Sequence, residues 1–240
     1  MSCEHGGNRI PAAYRCYFAQ HFALLQSHRG YDPGSLDLAR DLAHACGGRL
    51  FYSTVSRLLV DLNRSPGHPR LYSAITRALS PRRRRALYER HYLPYRATLE
   101  EWIVATVRSG HRVIHVSVHS FTPVLDGLER RADVGLLYDP QRGREARLCH
   151  KWQQALCNRD RSLVVRRNYP YRGTSDGLTT HLRRRFRPGC YVGIELEINQ
   201  KHTLGKAGAW RRLRRLLVAS LQSALDAQTA PGSEKRRAAS

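Results

Sequence analysis

Three features of the sequence predict a single-domain α/β protein, a three-layer α/β/α sandwich. Strand-like and helix-like segments alternate along the chain, the order expected of a sheet covered by helices on both faces. Residues 113–119 are rich in β-branched side chains, with His115, Ser117 and His119 on one face and Val116 and Val118 on the other. That run stops at Pro123, which cannot extend a hydrogen-bonded ladder. Residues 191–198 repeat the pattern, with Ile194, Leu196 and Ile198 opposite Glu195 and Glu197.

Taken in order, residues 1–3 read as the stump of a first strand, short enough to suggest a true start upstream. The opening residues show neither a basic nor an apolar signal-peptide region. Residues 12–26 are expected to be helical. In residues 35–45, Leu36, Leu38, Ala39, Leu42 and Ala43 repeat on one helical face, and Gly47-Gly48 closes that helix. Residues 49–55 read as a strand and residues 56–64 as a functional loop. A short helix is expected over residues 71–79. A longer helical region starts at Pro81, runs to residue 109 and is bent near Pro94. After the central strand, a mobile loop to about residue 131 precedes a strand at 133–138. A helix follows at 144–158, carrying Leu148, Trp152, Ala155 and Leu156. The remaining elements are a strand at 163–167, a helix at 178–186, the strand at 191–198 and a helix at 209–227. Residues 1–228 thus form one domain, and residues 229–240 a disordered basic tail.

With 41% hydrophobic residues in 240, the chain can build a core. No apolar run approaches the roughly 18–20 residues of a membrane span. The six cysteines form no CxxC pair, so they read as reduced thiols of a cytoplasmic protein. Lysine and arginine outnumber aspartate and glutamate 41 to 19, a formal charge of +22. Such a field attracts acidic small molecules and nucleic acid alike, the latter without sequence specificity. No nucleic-acid-binding motif accompanies it.

Four stretches place polar groups at strand ends or in loops. They are Glu4-His5-Gly6-Gly7, Tyr31-Asp32-Pro33-Gly34, residues 55–64, and Glu195 with Glu197 in the last strand. A histidine such as His119, at the carboxyl end of a strand, sits where open α/β sheets put their chemistry, although a lone histidine also fits a core position. The two glutamates are costly in a buried strand unless paired or catalytic. An antiparallel edge strand with a solvated face would also accommodate them.

Together, residues 2–8, Arg57 with Asp61-Leu62-Asn63-Arg64, residues 118–123, residues 171–177 and residues 193–200 resemble the N-formylglutamate amidohydrolase family. That family is itself similar to the zinc carboxypeptidases and to the aspartoacylase and succinylglutamate desuccinylase group. The resemblance implies a mixed central sheet and zinc-assisted hydrolysis of an N-acyl amide of an acidic amino acid such as N-formylglutamate. It implies one Zn2+ per chain, with His5 and His119 as ligands. The carboxypeptidases take a third ligand three residues after the first histidine; here that residue is Asn8, a poor zinc ligand. Asp32 matches an acidic position of the family and becomes the third ligand, or else only anchors Arg29 or orients a ligand histidine. His115 is a weaker candidate. Asn63 and Arg64 correspond to residues that grip the substrate α-carboxylate, and Arg57 to one that stabilises an oxyanion. Asp61 supports them. Glu197 corresponds to the general base, with Glu195 as its substitute. Arg172 would meet a second carboxylate, while Ser120 and Thr122 add hydrogen bonds or simply cap a loop. The rival expectation is a basic nucleic-acid binder on a catalytically idle scaffold, its arginines solvated or in surface ion pairs.

Overall fold

The computed structural model describes residues 1–229, with side chains described as far as residue 227. A six-stranded sheet runs in the order β2-β1-β3-β8-β6-β7. Its strands are β1 (Ser2–Cys3), β2 (Phe51–Tyr52), β3 (Val113–Phe121), β6 (Val134–Leu137), β7 (Val165–Arg167) and β8 (Tyr191–Asn199). β1, β2, β3 and β8 are mutually parallel, and β6 joins β8 antiparallel, so the sheet is mixed. This is the expected α/β fold. β8 lies inside the sheet, paired on both sides, which removes the solvated edge strand as an explanation of Glu195 and Glu197.

One face of the sheet is covered by α2 (Ser35–Ala45), α6 (Gly143–Arg159) and α9 (Ala207–Thr229). Val116 and Val118 of β3, with Ile194, Leu196 and Ile198 of β8, meet the helix side chains there. The predicted face of α2 is buried whole: Leu36, Leu38, Ala39, Leu42 and Ala43. Trp152 and Leu148 of α6 are completely enclosed, each large apolar side chain contributing about 1.5–3 kcal/mol of burial. The indole N–H of Trp152 donates to Ser220 Oγ at 3.0 Å, so its one polar atom is satisfied.

The second face changes character along its strands. Near their starts, Val113 and Tyr191 pack with Leu99 and Ile103 of α5 (Leu93–Arg108) and Leu178 and Leu182 of α7 (Leu178–Arg185). Further on, the same face presents Ser117 and His119 of β3 beside Glu195 and Glu197 of β8 in register. The apolar half anchors two helices, and the polar half opens at the carboxyl ends of the parallel strands.

Several local expectations change. The helix expected over residues 12–26 divides into a 3-10 turn, Ala12–Phe18, and α1 (Phe22–Gln26). Only Tyr14 and Phe18 are buried there and α1 buries nothing, too little anchoring for a longer helix. The expected strand at 49–55 shrinks to β2 plus a bridge from Arg9 to Val55, because its partner among the described residues, β1, is two residues long. The expected helix at 71–79 is the single turn α3 (Ala74–Arg77), capped where Ser73 Oγ accepts from Thr76 N. The long helical region contains α4 (Pro81–Leu87), a widened π-type turn at Tyr88–Tyr92 and α5. Pro94 has no N–H to give the carbonyl four residues back, and the widened turn absorbs the mismatch. The loop after β3 holds a small hairpin, β4 (Val124–Leu125) and β5 (Leu128–Glu129). It turns at Asp126-Gly127 with φ of 50° and 77°. An Asp-Gly pair favours such a tight turn because both residues tolerate positive φ. A short α8 (Gln200–Thr203) follows β8, its first turn capped by Asn199. No described helix is long and apolar enough to cross a membrane. The tail expected at 229–240 lies, after its first residue, outside the described residues.

Candidate active site

β1 delivers Glu4 and His5 at its carboxyl end, and the chain then turns through Gly6-Gly7. A Cβ on Gly7 would stand 2.7 Å from the Thr54 carbonyl oxygen, so glycine lets these two segments close. The Asp32 amide donates to the His5 carbonyl at 2.9 Å, drawing the loop before α2 over the strand end. His119 comes up from the neighbouring strand β3.

Here His5, Asp32 and His119 converge. Asp32 Oδ2 lies 3.3 Å from His5 Nδ1 and 2.8 Å from His119 Nδ1. All three residues are buried, and a ligand atom from each lies within 4.8 Å of the others. The remaining ring nitrogens are also held. His5 Nε2 lies 2.7 Å from Asp61 Oδ1, and His119 Nε2 lies 2.8 Å from Ser117 Oγ and 3.1 Å from Glu4 Oε2. Glu4 is fully buried and accepts from Ser117 Oγ at 2.6 Å and from the Tyr95 hydroxyl at 2.8 Å. Two imidazoles and a carboxylate suit a divalent cation such as zinc, and a carboxylate behind each imidazole is how metal-binding histidines are oriented. The donor set therefore fits the cation.

The charges are strongly coupled. Burial alone would raise the Asp32 carboxyl, but His5, His119 and Arg57 hold it far below the usual carboxylate range. Burial works against protonation of His119, yet Asp32 and Glu4 on either side raise it well above an ordinary histidine. A cation held in this place would take over the role of that proton.

A cleft of about 760 Å³ opens over these residues, lined also by Arg57, Asn63, Arg64, Arg172, Ser120, Glu195 and Glu197. Arg57 donates to Asp61 Oδ2 at 2.7 Å and to Asp32 Oδ1 at 3.4 Å, with a quarter of its side chain exposed. Asn63 Oδ1 accepts from Leu178 N at the start of α7 at 2.6 Å, and Arg64 donates to the Asp176 carbonyl at 2.9 Å. A Cβ on Gly177 would stand 2.9 Å from Glu195 Oε1 and 3.2 Å from Asn63 Oδ1, so a side chain there would displace these two cleft side chains. The two glutamates differ. Glu195 Oε1 accepts from Thr179 Oγ1 at 2.8 Å, whereas Glu197 Oε2 is buried without a hydrogen-bond partner. Burial raises the Glu197 carboxyl to about 8, only partly offset by His119.

The family model for N-formylglutamate amidohydrolase matches residues 1–203, most of the chain and every residue of this cleft. The chain belongs to the N-formylglutamate amidohydrolase family. It is accordingly an amidohydrolase. A solved gene product of Agrobacterium tumefaciens is 30% identical, with a TM-score of 0.81, covering 95% of this chain and 90% of the other. The N-formylglutamate amidohydrolase of Ralstonia eutropha JMP134 is 19% identical with a TM-score of 0.67, covering 95% and 93%, a likeness of fold. No curated protein matches the chain.

Within this amidohydrolase, the structure brings His5, Asp32, His119, Arg57, Asn63, Arg64, Arg172, Glu195 and Glu197 into one cleft. Ser120 lines it too, but its hydroxyl donates to the Pro33 carbonyl at 3.0 Å. Thr122 lies outside the lining, and its hydroxyl donates to the Val124 carbonyl at 2.8 Å as a turn cap. His115 is separate from the cluster: its ring nitrogens meet the Tyr191 hydroxyl at 2.8 Å and Ser2 Oγ at 2.7 Å. Burial lowers it to about 3, so it stays neutral. Glu4 and Thr179 were missed. Glu4 directly precedes His5, yet adjacency in sequence says nothing of a contact to His119 on another strand. Ser117, two residues before His119 on one strand face, was legible.

Proposed function

We propose that the protein hydrolyses the N-acyl amide of an acidic amino acid, N-formylglutamate being the reference substrate, with residues 1–228 as the catalytic unit. The observation that carries this reading is the convergence of His5, Asp32 and His119 beside a buried glutamate with a free carboxylate oxygen. His5, Asp32 and His119 would hold one Zn2+. Such a cation, when bound, acidifies a water and polarises a carbonyl oxygen.

The chain's own groups do the rest. Asp61 and Glu4 keep both imidazoles turned toward Asp32. Asn63 and Arg64 grip the α-carboxylate, and Arg172 meets the side-chain carboxylate, with the guanidinium fork matched to carboxylate geometry. Arg57, fixed by Asp32 and Asp61, sets positive charge where the carbonyl oxygen becomes anionic. Glu197 takes a proton from the attacking water and passes it to the departing nitrogen. The water oxygen bonds to the acyl carbon, the C–N bond breaks, and a carboxylate and an amine leave. Glu195, held by Thr179, is the less free of the two carboxylates.

The test combines metal analysis with turnover. Untagged protein should carry about one zinc per chain and release formate from N-formylglutamate, and His119→Ala should lose both. Wild type that refuses zinc, or zinc-loaded protein inert toward every N-acyl acidic amino acid tried, would overturn the reading.

A further inference from the structure

The cleft separates its charges by depth. At its base, Asp32 and Asp61 are bound by Arg57 and by the histidines. At its rim stand Arg29, Arg70, Arg77 and Arg172, all exposed and, among the described residues, without an ion pair to any aspartate or glutamate. Asp176, also in the lining, accepts through its carboxylate from Ser65 N at 3.1 Å. The rim is therefore a place where cations are gathered and left unmatched.

Three separate segments bring these cations together. Arg29 precedes Asp32, Arg70 and Arg77 follow Asn63-Arg64, and Arg172 precedes α7. Like charges collected around one opening repel one another unless an anion lies between them. The charge of Arg29 is felt locally: His28, also in the lining, is held below its ordinary value by burial and then by Arg29, with Arg57 and Arg130 adding to it. The proposed function uses Arg64 and Arg172 for the two carboxylates of one acidic amino acid. Arg29, Arg70 and Arg77 are then unused. Space is unused too, since about 760 Å³ lies high in the range of roughly 300–1,000 Å³ that takes drug-sized ligands.

We infer that the cleft takes N-acylated, γ-linked acidic oligopeptides with three or more carboxylates: the first residue keeps its free α-carboxylate for Asn63 and Arg64, and the carboxylates of the later residues lie on Arg172, Arg29, Arg70 and Arg77. This rests on the proposed amide hydrolysis and adds the substrate class. The bond cleaved is the same; the extra residues lengthen the amine product. Because the rim is exposed, the preference should come through KM and weaken with salt.

The experiment compares kcat/KM of the zinc-loaded enzyme for N-formylglutamate, N-formyl-γ-Glu-γ-Glu-Glu and an uncharged-tail control, the same peptide with the carboxyls of its second and third residues as amides. The triglutamate should win by about tenfold at low salt, as three exposed ion pairs allow. The control should show no such gain. In Arg70→Gln/Arg77→Gln, and separately in Arg29→Gln, the triglutamate advantage should shrink. Folding of each variant is checked by its thermal midpoint. Equal or poorer use of the triglutamate by wild type, or an advantage unchanged in both variants, overturns the inference while leaving hydrolysis of N-formylglutamate standing. If no N-acyl compound is turned over, the proposed function falls separately. Calorimetric binding of the same three compounds then decides: tighter triglutamate binding lost in the variants supports the rim, and equal binding refutes it.

Discussion

At the start of β8, Arg183 donates through Nε to both Glu145 oxygens, at 3.1 and 3.0 Å, and through its other nitrogens to the carbonyls of Gly173 and Gly193. Glu145 also accepts from Gly193 N and Asp139 N, each at 3.0 Å. Toward the end of the same strand, Glu197 is equally enclosed, yet Oε2 has no partner and its carboxyl is raised to about 8. Both carboxylates are buried against β8, Glu145 from α6 and Glu197 from the strand itself, and they differ in completion. A buried ion pair with its lone pairs filled holds loops and strands in register. A buried carboxylate left short of partners is destabilising by itself, and such groups concentrate where chemistry is done.

The comparison can be broken or sharpened by mutation. The largest effect is expected at the open end. Glu197→Gln should lower turnover of N-formylglutamate by about a thousandfold in folded, zinc-loaded protein, the loss of a general base. Unimpaired turnover would make Glu197 a bystander. At the closed end, Glu145→Gln should cost about 3–5 kcal/mol in urea unfolding, because Arg183 is left buried and unmatched. Turnover per folded molecule should be retained, and the contrast between the two ends collapses if stability is untouched.

The third prediction concerns pH. In metal-free protein the raised Glu197 carboxyl favours folding while it is protonated. That stability is complete below the ordinary value of 4.5 and lost as pH rises through about 8. Glu197→Gln should therefore be the more stable protein at pH above 8, by on the order of 2 kcal/mol, with the difference vanishing in acid. A variant no more stable than wild type at high pH would show that the free oxygen is solvated after all. Smallest is the effect at Glu4. Glu4→Gln should weaken zinc affinity about tenfold in competition with a chelator, the scale expected for a group orienting a ligand imidazole. Unchanged affinity would reduce its contact with His119 to packing.

The fold was written locally wherever burial has a period. The α2 face and the opposed faces of β3 and β8 follow from side-chain spacing, because a helix or a long strand shows its pattern within a few residues. Elements held by distant contacts were misjudged. β2 is short because β1 is short, and the chain from residue 12 to 26 breaks because only Tyr14 and Phe18 find a core. The Asp126-Gly127 hairpin was available in the residues and went unread.

The site divides in the same way. The family resemblance of the ordered motifs pointed to His5, Asp32, His119 and Glu197, and the structure brings all four to one cleft. Which nitrogen faces Asp32, that Glu4 backs His119, and that Glu195 rather than Glu197 is tied to Thr179 were decided only in three dimensions. So was the gathering of Arg29, Arg70, Arg77 and Arg172 at one opening, which uniform arginine richness conceals. The reason is physical. Chain spacing sets what a short segment can form, while a hydrogen bond or a shared field depends on distances between segments that only the packed sheet and its loops determine.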